Sequence, residues 1–256
     1  MKTSREDKTP IQALSALHES ASLRAVTGPS LRPGGFLLTD RGLSRCGFAP
    51  GARIADVGCG TGASVSYLRE RYQLKAMGFD LSGELIRNNE CAKAIPFAEA
   101  RCEALPLADG CCDGVLCECV LSLVPEPAQA VAEFSRVLRN SGFLILSDIY
   151  DRAPIDGSFR PSAGTAGCAS ALRSRLFIEK LLGDSGFDFV AWEDHTRYLK
   201  ELVAQLILNG DSCEEFRDLL RVLHSGCADP SEVRNSRPGY FLLVAQKSTK
   251  GETFHG

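Results

Sequence analysis

The residues best suited to chemistry lie in one short run at positions 56–62, with the sequence DVGCGTG. The run follows a mostly apolar segment and precedes one with helical periodicity. Glycine at positions 58, 60 and 62 permits positive φ values and lets the backbone approach a ligand closely. Amide groups at the start of a helix favour a nucleotide-like ligand. The run therefore predicts a ligand-binding loop; a tight strand-to-helix turn without a ligand is the alternative.

A second candidate is Asp80, which ends an apolar segment at residues 74–80. A carboxylate can accept hydrogen bonds from both hydroxyls of a ribose. The alternative is a solvated turn carboxylate. Gly58, Gly60 and Ala63 also fit the looser G-x-G-x-x-G/A pattern of dinucleotide sites, so an NAD-dependent oxidoreductase stays open on these residues alone.

Strands and helices alternate around these candidates, and this order must position them. Strands are predicted at residues 53–57, 74–80, 97–101, 112–120, 143–149, 187–192 and 240–246. The segments between most of them carry apolar residues at helical spacing. Such alternation indicates right-handed crossovers and a parallel sheet that is covered on both faces.

Several local patterns refine this order. Residues 28–42 are rich in Gly and Pro and are predicted to form a loop, and Thr39 is a plausible N-cap of a short helix that reaches Cys46. Residues 140–142 (Asn-Ser-Gly) are expected to end the helix that starts near Pro127. A short helix is expected at 11–17 and a loop at 151–170. Two amphipathic helices at 197–225 form a small cap, the second introduced by the capping box Ser212-x-x-Glu215.

Four motifs in this order resemble the class I S-adenosylmethionine-dependent methyltransferases. They are the D-x-G-x-G-x-G loop at 56–62, the acidic strand end at Asp80, the segment CEALPL at 102–107 and the segment EFSRVL at 133–138. The resemblance implies an α/β fold with a doubly wound, seven-stranded, mostly parallel sheet in the order 3-2-1-4-5-7-6. Its last strand is antiparallel. The implied units are an N-terminal helical or lid segment at 1–49, a cofactor-binding core at 50–196, a helical cap at 197–236 and the final core strand at 237–249.

The resemblance also implies a cofactor, S-adenosyl-L-methionine, and residues that hold it. The loop would lie beside the methionine part, with Asp56 near the amino end, and Asp80 would bind the ribose. Arg101 stands where the family often has an aspartate near the adenine, which is a departure from the pattern. The cofactor-binding residues implied are Asp56, Gly58, Cys59, Gly60, Thr61, Gly62, Asp80, Leu81, Cys102, Glu103 and Cys117. A module that binds this cofactor without catalysis is a further alternative.

The methyl acceptor should approach over the carboxyl ends of the fourth and fifth strands. The motifs resemble the branch that includes quinone, sterol and arsenite methyltransferases, which implies a small-molecule acceptor. The candidate catalytic residues are Cys117, Glu118 and His195; for His195 the alternative is a surface histidine at a strand end. Arg32, Asp40 and Tyr240 show no specific role, and residues 28–42 are a candidate lid over the cofactor.

The cysteines leave two interpretations open. Cys117 and Cys119 are two residues apart on a predicted strand, so their side chains should share one face. They are either small buried residues or, with Cys168, Cys213 or Cys227, ligands of a thiophilic substrate such as arsenite. No C-x-x-C pair occurs among the eleven cysteines, so no metal site is expected.

Composition excludes some classes of partner. The chain of 256 residues has 29 Lys and Arg against 32 Asp and Glu, a formal charge of −3. Neither nucleic-acid binding nor a basic membrane surface is indicated by this balance. No apolar run approaches the roughly 20 residues of a membrane span, and the N-terminus is polar, so a cytoplasmic protein is expected. The oligomeric state is left open.

Overall fold

The computed structural model describes residue 30 and residues 32–83, 95–152, 172–208 and 237–249. Within these residues the strands are β1 (Arg53–Val57), β2 (Lys75–Asp80), β3 (Phe97–Glu99), β4 (Cys112–Glu118), β5 (Leu138–Asp151), β6 (Phe187–Asp194) and β7 (Pro238–Lys247). They form one seven-stranded sheet in the order β3-β2-β1-β4-β5-β7-β6. The strand order implied by the resemblance is therefore confirmed.

The pairing directions also agree with the expectation. The adjacent strands β3, β2, β1, β4 and β5 pair in parallel with one another. Strand β7 runs antiparallel to both β5 and β6, so it alone is reversed in the sheet described. The central strands are nearly continuous apolar runs because helices cover both of their faces.

Five α-helices lie in the described parts of the chain: α1 (Gly35–Leu43), α2 (Ala63–Tyr72), α3 (Pro127–Val137), α4 (Arg175–Asp184) and α5 (Thr196–Leu208). A short 3₁₀ turn spans Leu121–Leu123. Val115 and Leu144 pack in a core cluster with residues of α3 and α4, whereas the alternate residues Leu116 and Ile145 pack with α1 and α2. The two clusters therefore lie on opposite faces of the sheet. None of the helices described is long and apolar enough to cross a membrane.

Helix α1 corrects the prediction for the N-terminal segment. Residues 35–43 are helical rather than a loop, and the helix begins after Gly34, which has a φ of 75°. Thr39 is therefore a mid-helix residue and not an N-cap. The helix forms because its buried stripe packs on the sheet: Gly42 lies so close to Ile145 that an added Cβ would come within 2.6 Å of Ile145 Cγ2.

Residues 140–142 do not end α3. That helix ends at Val137, and Leu138 already has extended backbone angles and pairs with Cys112. Ser141 has a φ of 58°, and the register of β4 against β5 shifts between Cys112 and Gly114. The Asn-Ser-Gly sequence thus forms an irregularity inside β5.

Other expectations extend beyond the described residues. The helix at 11–17, most of the loop at 151–170 and the second cap helix at 212–223 lie outside them. The first cap helix is α5, and the division of the chain into four units stays a prediction.

Candidate functional site

A cavity of about 310 Å³ opens at the carboxyl ends of β1, β2 and β4. In a doubly wound sheet this edge is where ligands bind. Its walls come from four places: the N-terminal segment, the glycine loop, the ends of β2 and β3, and the turn after β4. The lining residues are Ser30, Arg32, Asp56, Val57, Gly58, Cys59, Gly60, Thr61, Ala63, Ser64, Asp80, Leu81, Ser82, Ala100, Arg101, Cys102, Glu103, Glu118, Cys119, Val120, Leu123, Val124 and Pro125.

The three glycines of the loop have different reasons to be glycine. All three have positive φ, between 52° and 77°. A Cβ on Gly58 would collide with the Val120 side chain, and one on Gly62 would collide with Ile95, whereas Gly60 faces open space. Gly60 therefore leaves bare backbone at the cavity wall. Gly62 caps α2 and is not among the cavity-lining residues.

Asp80 connects β2 to the glycine loop. Its Oδ2 accepts a hydrogen bond from Gly60 N and its Oδ1 accepts one from Ser82 N, both at 2.8 Å. Each carboxylate oxygen can accept a further bond. Asp80 is therefore more than a solvated turn carboxylate: it fixes the loop and still offers acceptor capacity to the cavity.

Asp56 is a buried acceptor at the same wall, with 3% of its surface exposed. Its Oδ2 has no hydrogen-bond partner among the described residues. Burial raises the pKa of Asp56 to about 8, the charges of Glu118 and Asp80 add to this, and the Arg32 charge opposes it. An unpaired buried carboxyl is costly, so the position favours a cationic donor from a ligand.

A cluster of four buried polar side chains, Arg32, Thr39, Ser64 and Glu118, joins the N-terminal segment to the core; it is called the Arg32 cluster below. Arg32 Nη1 donates to Ser64 Oγ at 3.0 Å, and Nη2 donates to Thr39 Oγ1 at 2.6 Å. Thr39 in turn donates to Glu118 Oε1 at 3.1 Å. Glu118 Oε2 lies 2.7 Å from Arg32 Nη2 as an ion pair, although its alignment is too poor for a hydrogen bond.

No sequence pattern points to the Arg32 cluster, and Glu118 is its only member among the predicted site residues. Arg32 lies in a Gly- and Pro-rich stretch that gives no local sign of burial, yet only 6% of its surface is exposed. The sequence predicts Thr39 as a helix cap. Burial raises the pKa of Glu118, and the Arg32 charge opposes that rise. Glu118 is therefore an anchored partner of Arg32 and not a free base.

Cys117 and Cys119 do not share one environment. Strand β4 ends at Glu118, and Cys119 has a φ of 58°, which breaks the strand alternation. Cys117 is fully buried in the cluster that contains α3 and α4, and it does not line the cavity. Cys119 lines the cavity and lies 3.0 Å from Tyr240 Oη. The expectation that the two thiols share one face is therefore wrong.

The thiols at the cavity are held in their neutral form. Burial raises the pKa of both Cys102 and Cys119 to about 12. It also raises the pKa of Cys59, where the nearby charges of Asp56 and Asp80 contribute. Cys168, Cys213 and Cys227 lie outside the described residues.

His195 is not brought to the cavity. Its Nε2 lies 3.0 Å from Glu193 Oε2, and its backbone N donates to Tyr240 O at 2.7 Å. Glu193 also pairs with Arg41 and Arg45. His195 therefore belongs to a polar contact between β6 and α1 rather than to the lining of the cavity.

The segment at 102–107 is held by the helix motif at 133–138. Glu133 Oε1 accepts a hydrogen bond from Leu105 N at 2.6 Å. Arg136 donates to Leu107 O at 2.8 Å and to Leu105 O at 3.2 Å. These contacts place Cys102 and Glu103 at the cavity, where Glu103 pairs with the exposed Arg101 at 2.9 Å.

Two further residues support the wall after β4. Asp148 Oδ2 accepts a hydrogen bond from Ser122 N at 2.8 Å. Arg173 donates to Leu121 O at 2.9 Å and to Val124 O at 3.1 Å. No sequence pattern singles out Arg173, because its role depends on the turn after β4, 49 to 52 residues earlier in the chain.

Residues 55–146 match the family model described as "Methyltransferase domain". Residues 55–146 therefore form a methyltransferase domain. The matched residues run from β1 through most of β5 and include the glycine loop, Asp80 and both motif segments. This confirms the family that the four motifs resemble.

Known proteins resemble this methyltransferase domain over different lengths. Arsenite methyltransferase of Halobacterium salinarum is 28% identical over 152 residues, covering 56% of this chain and 39% of that protein. The crystal structure of the [4+2]-cyclase SpnF has a TM-score of 0.71 at 20% identity, covering 94% of this chain and 97% of that one. A third structure is that of phosphoethanolamine N-methyltransferase 2 of Haemonchus contortus in complex with phosphomonomethylethanolamine and S-adenosylhomocysteine. It has a TM-score of 0.69 at 16% identity, and the match covers 94% of this chain and 60% of that one. The chain spans 30% to 51% of the length of the first three curated relatives that it matches.

Proposed function

We propose that this chain binds S-adenosyl-L-methionine in the cavity at the carboxyl ends of β1, β2 and β4 and transfers its methyl group to a small molecule. The observation that carries this proposal is the hydrogen bond from Gly60 N to Asp80 Oδ2. It joins the glycine loop to the acidic end of β2, so that the two motifs form one wall of the cavity. The neighbour from Haemonchus contortus holds S-adenosylhomocysteine, which agrees with this choice of ligand.

The residues at the cavity fit the chemical parts of this cofactor. Bare backbone at Gly60 suits close approach of the methionine part, and the unpartnered Asp56 Oδ2 suits an ammonium group. Asp80 would accept the ribose hydroxyls, and Cys102 with Glu103 would lie along the adenine. Cys117 and Gly62 are left out of this proposal, since neither lines the cavity.

When bound, the sulfonium supplies an already activated methyl group, so the chain's own contribution is alignment and exclusion of water. Val120, Leu123 and Val124 form an apolar part of the wall. Glu118 and Cys119 stand at the end of β4, where an acceptor would enter. The Cys119 thiol is neutral and the Glu118 carboxylate is paired with Arg32, so an acceptor that needs no protein base is favoured.

A narrower proposal is that the acceptor is thiophilic, such as arsenite. It is supported by the relative named arsenite methyltransferase and by the Cys119 thiol at the cavity. The raised pKa of Cys119 works against it, because a thiol is a weaker ligand than a thiolate. Incubation with arsenite, a thiol and labelled cofactor tests this: absence of methylated arsenic product would reject the narrower proposal and leave the broader one.

Two alternatives are kept for the same cavity. A module that binds the cofactor without transfer is favoured by the lack of a free base among the described cavity residues. An NAD-dependent enzyme is allowed by the G-x-G-x-x-A spacing at residues 58–63.

Isothermal titration with S-adenosylhomocysteine and with NAD separates these possibilities. We expect S-adenosylhomocysteine to bind and NAD not to bind. The variant Asp80→Asn should weaken S-adenosylhomocysteine about tenfold or more, since it removes charge-assisted hydrogen bonds. The exposed Asp184→Asn is the matched control. Binding of NAD alone would overturn the proposal, and binding without turnover across a broad acceptor panel would favour the module.

A further inference from the structure

Two adjacent thiols that the proposed function does not use lie at the amino end of β4. Cys111 precedes the strand and Cys112 is its first residue. Their sulfur atoms are 3.6 Å apart, and both thiols are free. Among the cysteines that the structure describes, no other two have sulfurs in hydrogen-bond contact. The cavity lies at the other end of this seven-residue strand, about 20 Å away, so the pair is a separate feature.

The distance between the two sulfurs suits one atom that bridges them. Two sulfurs bound to the same atom at about 2.3 Å, as in zinc thiolates, lie roughly 3.3–3.8 Å apart when the bond angle is about 90–110°. The observed 3.6 Å falls within this range. A direct bond between the sulfurs would require about 2.0 Å. The pair therefore needs less movement to share a bridging atom than to form a disulfide.

The state of the thiols indicates which kind of atom they would take. Burial raises the pKa of Cys112 to about 12, and the hydrogen bond with Cys111 adds to this rise. A metal cation binds thiolates and must displace their protons. Asp113 is already held by Arg139 Nε at 2.6 Å and by Arg53 N at 2.8 Å, and no group of three metal-ligating side chains occurs in the described part of the chain. The pair therefore favours an electrophile that takes two neutral thiols and no further protein ligand.

We infer that Cys111 and Cys112 form a dithiol site for a monosubstituted trivalent arsenical, R–As(OH)₂. Each thiol replaces one hydroxyl group on arsenic. Two As–O and two S–H bonds break, two As–S bonds form, and the hydroxyls leave as two molecules of water. Arsenic stays trivalent, and no net proton is released. This site is distinct from Cys119, on which the narrower acceptor proposal rests, and it does not depend on the proposed function.

The surroundings hold the two thiols in place for this reaction. Cys112 is 5% exposed and pairs with Leu138 of β5, whereas Cys111 is only half-buried. The residue before the pair is also fixed, since Gly110 N donates to Arg136 O at 2.9 Å. Cys111 would therefore capture the arsenical first, and Cys112 would complete the chelate within the same contact. A preorganised pair loses little further conformational entropy on binding.

The experiment uses phenylarsine oxide, which hydrates to the R–As(OH)₂ form, on the full chain and on the variants Cys111→Ser and Cys112→Ala. Excess 2-mercaptoethanol is present, because a monothiol removes arsenic from single cysteines more readily than from a chelating pair. Intact mass spectrometry counts the phenylarsine groups that remain. Each variant should carry one group fewer than wild type, with apparent affinity at this site reduced about 100-fold or more by loss of the second attachment.

The matched control is Cys46→Ser, which removes a buried thiol that donates to Gly42 O at 3.3 Å and should keep the wild-type count. Equal counts in wild type and both pair variants would overturn the inference. Loss of a group in only one of them would also overturn it, because the adduct would then rest on a single thiol. Circular dichroism checks folding, and the half-buried Cys111→Ser decides if Cys112→Ala unfolds.

Calorimetric titration with S-adenosylhomocysteine keeps this inference apart from the proposed function. We expect unchanged affinity for S-adenosylhomocysteine in Cys111→Ser, since the pair is remote from the cavity. A chain that holds the arsenical but does not bind S-adenosylhomocysteine would reject the proposed function and leave the dithiol site standing.

Discussion

The two sides of the cavity are built in different ways. The glycine-loop side is made of backbone and of one carboxylate, Asp80, from the next strand. The other side is the Arg32 cluster, whose four side chains come from segments as far apart as residues 32 and 118. The first side belongs to the matched family region, and Arg32 and Thr39 do not.

This difference indicates how each side fails. The glycine-loop side depends on positive φ angles and on the absence of Cβ atoms, so replacing one glycine by alanine should damage it. Side-chain walls depend on charge balance, so removing one member leaves a buried charge.

The largest effect should come from breaking the buried ion pair. Arg32→Gln leaves Glu118 buried without its cation and should lower the free energy of unfolding by about 3–5 kcal/mol. Urea denaturation followed by circular dichroism measures this. Arg32→Gln/Glu118→Gln should recover most of the loss, because no unpaired charge remains. A double variant as unstable as the single one would mean that packing, not charge, dominates the Arg32 cluster.

Gly58→Ala should come next, at about 2–4 kcal/mol, since it combines positive-φ strain with overpacking against Val120. Gly60→Ala has a similar φ but open space and should cost about 1–2 kcal/mol, with ligand affinity reduced more than stability. Thermal unfolding and calorimetric titration of S-adenosylhomocysteine are compared for both variants. Equal destabilisation of the two would contradict the assignment of Gly58 to packing and Gly60 to the ligand.

Asp56 should make both stability and binding depend on pH. Its pKa is about 8 in the folded chain against an ordinary value of 3.8, so the folded state binds more protons between these values. The free energy of unfolding should therefore fall as pH rises through that window. Binding of an ammonium favours the ionised carboxylate, so affinity for S-adenosylhomocysteine should rise by up to tenfold per pH unit below about pH 8.

The control for this pH dependence is Asp56→Asn, which cannot ionise. It should flatten both profiles, and calorimetry in buffers of different ionisation enthalpy should show proton release only for wild type. Glu118 and Asp80 also face Asp56, and Arg32 opposes them. An unchanged slope in Asp56→Asn would assign the titration to Glu118 instead.

The smallest effect concerns the outer contact between α1 and α2. Asp40 accepts hydrogen bonds from Tyr67 at 2.8 Å and from Tyr72 at 2.7 Å, and Phe36 stacks on Tyr67 with ring centroids 4.1 Å apart. Asp40→Ala should lower the free energy of unfolding by about 1 kcal/mol and leave ligand affinity unchanged, because Asp40 does not line the cavity. Asp184→Asn is the surface control, and a loss of affinity in Asp40→Ala would show that α1 is positioned from its outer side.

The sequence was informative where structure is local. The alternation of strands and helices, the glycine loop and the acidic end of β2 each depend on residues within a few positions, and all occur at or near their predicted places. It was wrong where a tertiary contact overrides a local preference. Thr39 is drawn into a helix because the buried stripe of α1 packs on β5, and residues 140–142 are held inside β5 because Leu138 and Phe143 on either side of them pair with β4.

The cysteines show most clearly where prediction from the sequence ends. Alternation along β4 predicts that Cys117 and Cys119 point the same way, and this would hold if the strand continued. The strand ends at Glu118, and a positive φ at Cys119 directs its thiol to the cavity and to Tyr240, while Cys117 stays in the core. The positive φ of Cys119, which the residue types do not predict, places the two thiols in different environments.

The sequence by itself therefore determined the family and the loop that would hold a cofactor, through short motifs, and the alternation of strands and helices, through periodicity. The strand order followed only from the family resemblance. Only the tertiary structure decided which buried side chains complete the cavity wall. Arg32 has no neighbours in the sequence that mark it for burial; it is buried because Thr39, Ser64 and Glu118 converge on it from three elements. Charge pairing across distant segments is a property of the folded chain, and no local pattern encodes it.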